Sequence, residues 1–310
     1  MTGVQTWALP IWGATMIRKA VIPAAGFGTA LLPATKAMPR EMLPIVDQPV
    51  IGCIVEEAAE SGVRDALIVV GRGNNALIDY FDVNHELELD LQQRGKSGAL
   101  KQLRDLAALA RIHFIRQPVQ DGLGRAVALA EDHIGNEPFL VMLGDSVIRT
   151  QSRIPCSRRL IDAYHHLKGD VCVVAVEPRA DDELSNFGVV SLDALPGRDD
   201  IFRITEMVEK PRAGRATSNY TLAGRYILTP DAFDALRRAP VSENGRLELT
   251  DALRLMLDAG RPFYAVPIEG KRYDIGSKLG YAKAFIELAL ERQDIGPELR
   301  DWLENERGNR

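Results

Sequence analysis

The chain is poor in the residues that would mark several common functions. Its 310 residues include only three cysteines, Cys53, Cys156 and Cys172, with no CxxC pair. An odd count without a CxxC pair argues against a disulfide framework. Each cysteine lies in or near an apolar run, so the three read as small buried hydrophobes in a reducing cytosol. No stretch approaches the roughly 18 to 20 apolar residues of a membrane span. No basic stripe or tail is visible, and 38 basic residues against 43 acidic ones give a net charge of −5, which argues against a nucleic-acid partner. Any positive field for an anionic substrate must therefore be local. The Walker A pattern GxxxxGK[ST] is absent, and GxGxxG fails because Leu31 stands where the third glycine belongs. There is no GxSxG and no catalytic Cys/His grouping, so no protein nucleophile is evident.

What is present is an ordinary globular composition, 46% hydrophobic and 26% charged, in a chain long enough to bury a large core. Residues 1–15 hold two of the three tryptophans, lack a basic n-region and are interrupted by Pro10, which argues against a signal peptide. Buried-strand patterns recur at Lys19–Ala24, ALIVVG, RIHFIRQ and PFLVMLGD. Helical patterns separate them: VIGCIVEEAAESG, the region from Asn74 to Arg111 with a charged surface stretch at Glu86–Gly98, and GLGRAVALAEDHI. This alternation predicts an α/β fold with a mostly parallel, doubly wound, Rossmann-like sheet and helices on both faces. Further on, a helix near Arg159–Leu167 and the strand DVCVVAVE precede FGVVSL, IFRITEMVEK and YTLAGRYIL, which predict small antiparallel additions. Helices near Pro230–Arg238 and Leu249–Ala259, the strand FYAVPI and a closing helical region complete the reading, with ENERGNR expected to fray.

The stretch from Ala20 to Pro49 stands out. A buried strand leads directly into Gly26 and Gly28, whose missing Cβ atoms let the backbone turn sharply and bring N–H groups near a phosphate or a base. Pro33, Pro39 and Pro44 prevent a long helix, and Thr35, Lys36, Arg40 and Glu41 supply polar groups along a stiff loop. Taken alone, a strand with a GxG turn is as consistent with tight packing as with a nucleotide site. The whole run of glycine loop, LPATKAMP and REMLPIVDQP, however, closely resembles the signature of the sugar-1-phosphate nucleotidyltransferases, and within them the bacterial UTP:glucose-1-phosphate uridylyltransferases. The resemblance runs from Ile17 to about Glu304. It implies one nucleotidyltransferase domain over 16–304, with a nucleotide side at about 16–150, a sugar-phosphate side at about 151–275 and C-terminal helices at about 276–304. Residues 1–15 would be a non-native or disordered extension, and 305–310 a frayed tail.

The resemblance also implies roles. Nucleotidyl transfer requires both substrates held in line, the charge growing at the α-phosphate neutralised, and a divalent metal. Asp145, at the tip of PFLVMLGD, and Asp274, in RYDIGSKLGY, match the family carboxylates that hold Mg²⁺. From the residues alone Asp145 could equally cap a turn. Glu209 and Lys210 in MVEKP read alone as a solvated strand end; in the family they meet the sugar hydroxyls and the sugar phosphate. Gly188, Asn219, Gly224 and Arg225 match further sugar-side positions, although turn glycines and a surface arginine remain open. On the nucleotide side, Ala24, Ala25 and Gly26 would lie along uracil and ribose. Gln117 can both donate and accept, as reading a uracil edge requires, and Gly122 and Gly124 would let backbone amides reach the base. Arg40 stands where the family has lysine, keeping the charge but replacing a point charge with a planar fork.

Two departures are visible. Ala30 occupies the position of a family arginine that reaches the triphosphate, and losing such a cation costs on the order of 10² to 10³ in rate, or roughly 3 to 4 kcal/mol. Asp121 adds a carboxylate just before GLG. Three outcomes are therefore expected to compete. One is a UTP:glucose-1-phosphate uridylyltransferase forming UDP-glucose and diphosphate, with Lys36 or Arg40 partly covering for the lost arginine. Another is a weak regulatory paralogue that binds sugar nucleotide. The third is the same reaction with another base or sugar, such as thymidylyl or guanylyl transfer. A cytoplasmic homodimer or homotetramer, with no membrane or nucleic-acid partner, completes the expectation.

Overall fold

The computed structural model describes residues 16–212, 214–242 and 244–308; the expected extension at 1–15 and the last two residues lie outside the described part. In chain order the first half contains β1 (Lys19–Ala24), β2 (Pro44–Ile45), β3 (Gln48–Pro49), α1 (Val50–Glu60), β4 (Asp65–Val70), α2 (Asn75–Phe81), α3 (His85–Gln93), α4 (Ser97–Ala107), β5 (Arg111–Arg116), α5 (Leu123–Ala128), α6 (Glu131–Ile134), β6 (Phe139–Met142) and β7 (Ser146–Arg149). The second half contains α7 (Cys156–His166), β8 (Cys172–Pro178), β9 (Gly188–Ala194), β10 (Phe202–Glu209), β11 (Tyr220–Leu228), α8 (Ala232–Arg238), α9 (Leu249–Asp258), β12 (Phe263–Pro267), β13 (Lys271–Asp274), α10 (Lys278–Glu291) and α11 (Gly296–Gly308). The proline-rich loop after β1 forms three three-residue helical turns, Thr29–Leu31, Ala34–Lys36 and Arg40–Met42, as its prolines require. The last helix continues through 305–308, beyond the point where fraying is expected.

A nine-stranded sheet runs in the order β5-β4-β1-β6-β11-β8-β12-β10-β9. The pairs β5–β4, β4–β1 and β1–β6 are parallel, as the apolar runs predict. Beyond β6 the expectation of a mostly parallel sheet needs correction. β11 lies antiparallel between β6 and β8, so the sheet is mixed and its antiparallel member is central rather than marginal. The cause is in the sequence of β11: eight of its nine residues are buried, and an apolar strand of that kind is stable only with neighbours on both sides.

Alternation along β1 distributes its side chains between two cores. Ala20, Ile22 and Ala24 join a cluster with Val50, Ile51 and Ile54 of α1 and Leu160 of α7. Val21 and Ala25 join another with Val127 of α5, Phe233 of α8 and Leu253 of α9. Helices therefore cover both faces, and α3 and α4 bury no residue, in keeping with their charged sequence. Among the described residues no helix is long and apolar enough to cross a membrane.

A second, two-stranded ribbon pairs β7 with β13 antiparallel, with Ser146 opposite Asp274. Within the main sheet, fully buried Phe139 of β6 stacks on Phe233 with centroids 5.1 Å apart and planes at 9°. Phe139→Ala should lower stability by about 3 to 5 kcal/mol, read as a shift of the urea midpoint, and a loss below about 1 kcal/mol would show that this face repacks.

Candidate active site

At the carboxyl ends of β1 and β6, a cavity of about 210 Å³ is lined by Ala25, Gly26, Arg40, Gln117, Gly122 and Asp145, among others. The lining thus unites residues that the sequence singles out in four separate stretches. A larger cavity of about 600 Å³, between α1, β7 and α10, contains none of them. Gly26 lies under the Arg40 guanidinium, so close that a Cβ there would stand 3.1 Å from Nη2. Gly28 is not a wall residue but a turn: its φ is +62°, and its carbonyl accepts hydrogen bonds from Thr35 Oγ1 at 2.7 Å and the Leu31 amide at 3.0 Å. Ala24 is buried, its carbonyl accepting from Asn74 Nδ2 at 3.1 Å. Lys36 is exposed and outside the cavity lining.

The two aspartates converge. Antiparallel pairing of β7 and β13 sets Asp274 beside the residue that follows Asp145, and the Ile275 amide donates to the Asp145 carbonyl at 2.9 Å. Arg40 joins them: its Nη2 lies 2.7 Å from Asp145 Oδ2, and Asp274 adds to the field that raises its pKa against the opposing effect of burial. Two carboxylates supply hard oxygen ligands of the kind Mg²⁺ prefers, so the donor set fits that ion. Glu41, expected on the nucleotide, is buried beneath this group instead. Its Oε1 accepts from Arg40 Nε at 3.1 Å, its Oε2 has no partner among the described residues, and burial pushes its carboxyl up to about 7. Glu41 is thus held inside the protein, where it supports Arg40.

On the sugar side, register places Glu209 opposite Gly188, and a Cβ on Gly188 would meet Glu209 Oε2 at 3.2 Å and Leu222 Cδ1 at 2.8 Å. Lys210, in the left-handed region at φ +43°, is half-exposed with its ammonium 3.1 Å from Glu209. Asn219 is exposed, its carbonyl accepting from the Arg179 amide at 2.9 Å. Gly224, φ +85°, sits where β11 bulges between Leu222 and Tyr226, and a Cβ there would meet Leu143 and Ser146. Leu222 neighbours Gly188 and Gly224 neighbours Ser146, two residues or roughly 7 Å apart along β11.

A sequence profile for nucleotidyl transferases matches residues 19–291. The chain belongs to the nucleotidyl transferase family. A UTP–glucose-1-phosphate uridylyltransferase of Bacillus subtilis (strain 168) is 41% identical over 288 residues, 93% of this chain and 96% of that protein. A UDP-glucose pyrophosphorylase solved with UDP-glucose superposes with a TM-score of 0.81 at 38% identity, covering 89% of this chain and all of the other. The UTP-bound UGPase from Acinetobacter baumannii gives 0.84 at 33%, covering 93% and 99%.

Several groups in this nucleotidyl transferase stand elsewhere than the sequence suggests. Arg225 is not a sugar ligand: its side chain is fully buried and forms a fork with Glu57 of α1, Nη2 to Oε2 at 2.7 Å, while Nη2 also donates to the Ser146 carbonyl at 2.8 Å. Ser157 completes the shell, donating to Glu57 Oε1 at 2.6 Å. A buried guanidinium needs this full set of partners. The Gly124 amide is taken by the Leu247 carbonyl at 2.8 Å, so it cannot reach a base. Gly122, φ +119°, is needed because a Cβ would fall 2.3 Å from the same carbonyl. Asp121 is not among the cavity-lining residues; it accepts from Arg125 Nε at 3.1 Å and from Gln117 Nε2 at 3.2 Å. Arg246, absent from the sequence reading, lines the cavity while pairing with Glu248 at 3.0 Å. On the sugar side, buried Arg272 pairs with Glu177 and lies 5.0 Å from the Phe187 ring centroid. Removing the buried cation by Arg225→Ala would strand Glu57 and should cost about 3 to 5 kcal/mol, measured by urea unfolding; a cost below about 1 kcal/mol would mean that water or a rotated Ser157 replaces it.

Proposed function

We propose that the chain catalyses UTP + α-D-glucose 1-phosphate → UDP-glucose + diphosphate. The observation that carries the reading is the meeting of Asp145, Asp274 and Arg40 at a cavity bordered by Ala25, Gly26, Gln117 and Gly122. A sugar-phosphate oxygen attacks the α-phosphorus of UTP in line, the bond from the α-phosphorus to the bridging oxygen breaks, and diphosphate leaves with that electron pair. No covalent enzyme intermediate forms. Asp145 and Asp274 would hold Mg²⁺, which supplies charge neutralisation at the phosphates.

Arg40, steadied by Glu41, faces the developing negative charge, and Arg246 on the cavity wall is a second cation in a chain that carries Ala30 at the position of the family arginine. Gln117 reads the base. With its amide nitrogen donating to Asp121 Oδ1 and the Gly122 carbonyl, its carbonyl oxygen is the group left to accept, which suits the N3–H of uracil. Glu209 and Lys210 orient the sugar phosphate, and Gly188 leaves room for it. Retention of Asp145, Asp274, Glu209 and Lys210 favours the enzyme over the weak-paralogue reading, because a pure binding module has little need of two metal carboxylates. Cytoplasmic residence and assembly as a homodimer or homotetramer belong to the same reading, and exposed Leu279, Phe285 and Ile286 on α10 offer an apolar face for assembly.

The test is diphosphate release with Mg²⁺ and glucose 1-phosphate, comparing UTP with dTTP, GTP, CTP and ATP. Release should depend on UTP, and Asp145→Ala should abolish it with the fold intact; a variant near the parent rate would remove Asp145 from the metal site. Ala30→Arg should raise kcat toward the roughly 10²-fold that one well-placed donor is worth. An unchanged kcat would mean that Arg40 or Arg246 already supplies that charge.

A further inference from the structure

At the opposite end of the strands, Asp65, His113 and His133 come together from three elements. Asp65 opens β4 and is locked in the sheet between Lys19 and Arg111, His113 lies in the middle of edge strand β5, and His133 belongs to α6. Asp65 is buried, His133 is largely covered and His113 is 47% exposed. Both imidazoles present Nε2 to one carboxylate oxygen, Oδ1, at 2.8 Å from His133 and 3.5 Å from His113. The rings lie 4.8 Å apart at 57°, and ligand atoms of all three residues fall within 4.8 Å of one another. Arg111 takes the other oxygen, Oδ2, at 3.1 Å, and so leaves Oδ1 for the imidazoles.

We propose that Asp65, His113 and His133 form a binding site for a borderline divalent transition metal of the Zn²⁺ class, separate from the nucleotide cavity. Zinc bonds nitrogen and oxygen at about 2.0 to 2.2 Å, which in a tetrahedron sets ligand atoms about 3.3 Å apart. The 2.8 and 3.5 Å from Oδ1 to the two imidazole nitrogens bracket that spacing, and all three ligand atoms lie within 4.8 Å of one another. Two imidazoles with one carboxylate favour Zn²⁺, Co²⁺ or Ni²⁺ over the Mg²⁺ that an all-oxygen pair takes. Exposure of His113 leaves a fourth position open to water. Each Nε2 lone pair points to the ion with the proton on Nδ1. The bound ion ties the edge strand β5 to α6, roughly 17 Å of strand away from Asp145.

The experiment is calorimetric titration of metal-free, full-length protein with Zn²⁺ in millimolar Mg²⁺, paired with Co²⁺ absorption. The expected result is one Zn²⁺ per chain that Mg²⁺ does not displace, with a tetrahedral Co²⁺ spectrum. His113→Ala and His133→Ala should each weaken Zn²⁺ binding at least about tenfold while leaving Mg²⁺-supported diphosphate release unchanged. His113 is half-exposed and its removal leaves the Asp65–His133 contact in place, so that variant folds even if His133→Ala does not. Equal Zn²⁺ affinity in the parent and His113→Ala, displacement of Zn²⁺ by Mg²⁺, or no uptake would each overturn the site.

Discussion

The interaction on which the active end depends is the buried fork between Arg225 and Glu57. It joins the central antiparallel strand β11 to α1, and through Ser157 it reaches α7. The same guanidinium donates to the carbonyl of Ser146, the residue next to Asp145, so a charge pair hidden from solvent fixes the backbone that aims the Asp145 carboxylate. Such a pair contributes little net stability, because desolvating two ions offsets most of their attraction. Its value is positional: neither ion can leave without stranding the other, so β7 has one place to lie.

Around this fork the site is built in nested layers. Asp145 and Asp274 are set by the β7–β13 ribbon, Arg40 is set by Asp145, and Glu41 supports Arg40 from below. The Gly122 and Gly124 loop is closed by Leu247, which also brings Arg246 to the cavity wall. A short chain of hydrogen bonds then runs from Arg125 through Asp121 to Gln117, so the carboxylate that looks out of place in the sequence has a defined use in orienting an amide.

Much of this was legible in the sequence where one local pattern has one physical solution. Apolar runs such as Lys19–Ala24 have to be buried on both faces, and prolines at 33, 39 and 44 have to break a helix. The convergence of Asp145 and Asp274 was legible only through the family resemblance, since nothing local says that two strand ends will share a ribbon. The antiparallel direction of β11 was legible from its closely spaced neighbouring strands, but its central place between β6 and β8 was not, because an apolar strand reports burial and not which strands it pairs with. Arg225 misled for a related reason: its partner lies far away in α1, although Glu57 stands on the apolar stripe with Val50 and Ile54, a sign that it too would be buried. The Asp65–His113–His133 group left no signal, since each residue lies in a different element.

The β7–β13 ribbon also governs the order in which this protein becomes competent. Asp145 belongs to the first half of the chain and Asp274 to its last part, and the pairing that unites them is among the most distant in sequence. As the chain emerges from the ribosome, the parallel strands and their glycine loop can close early, yet the carboxylate pair cannot exist until β13 has been made and has found β7. A half-built chain thereby holds Asp145 and Arg40 without the second carboxylate, and the cluster is complete only when the last strand docks.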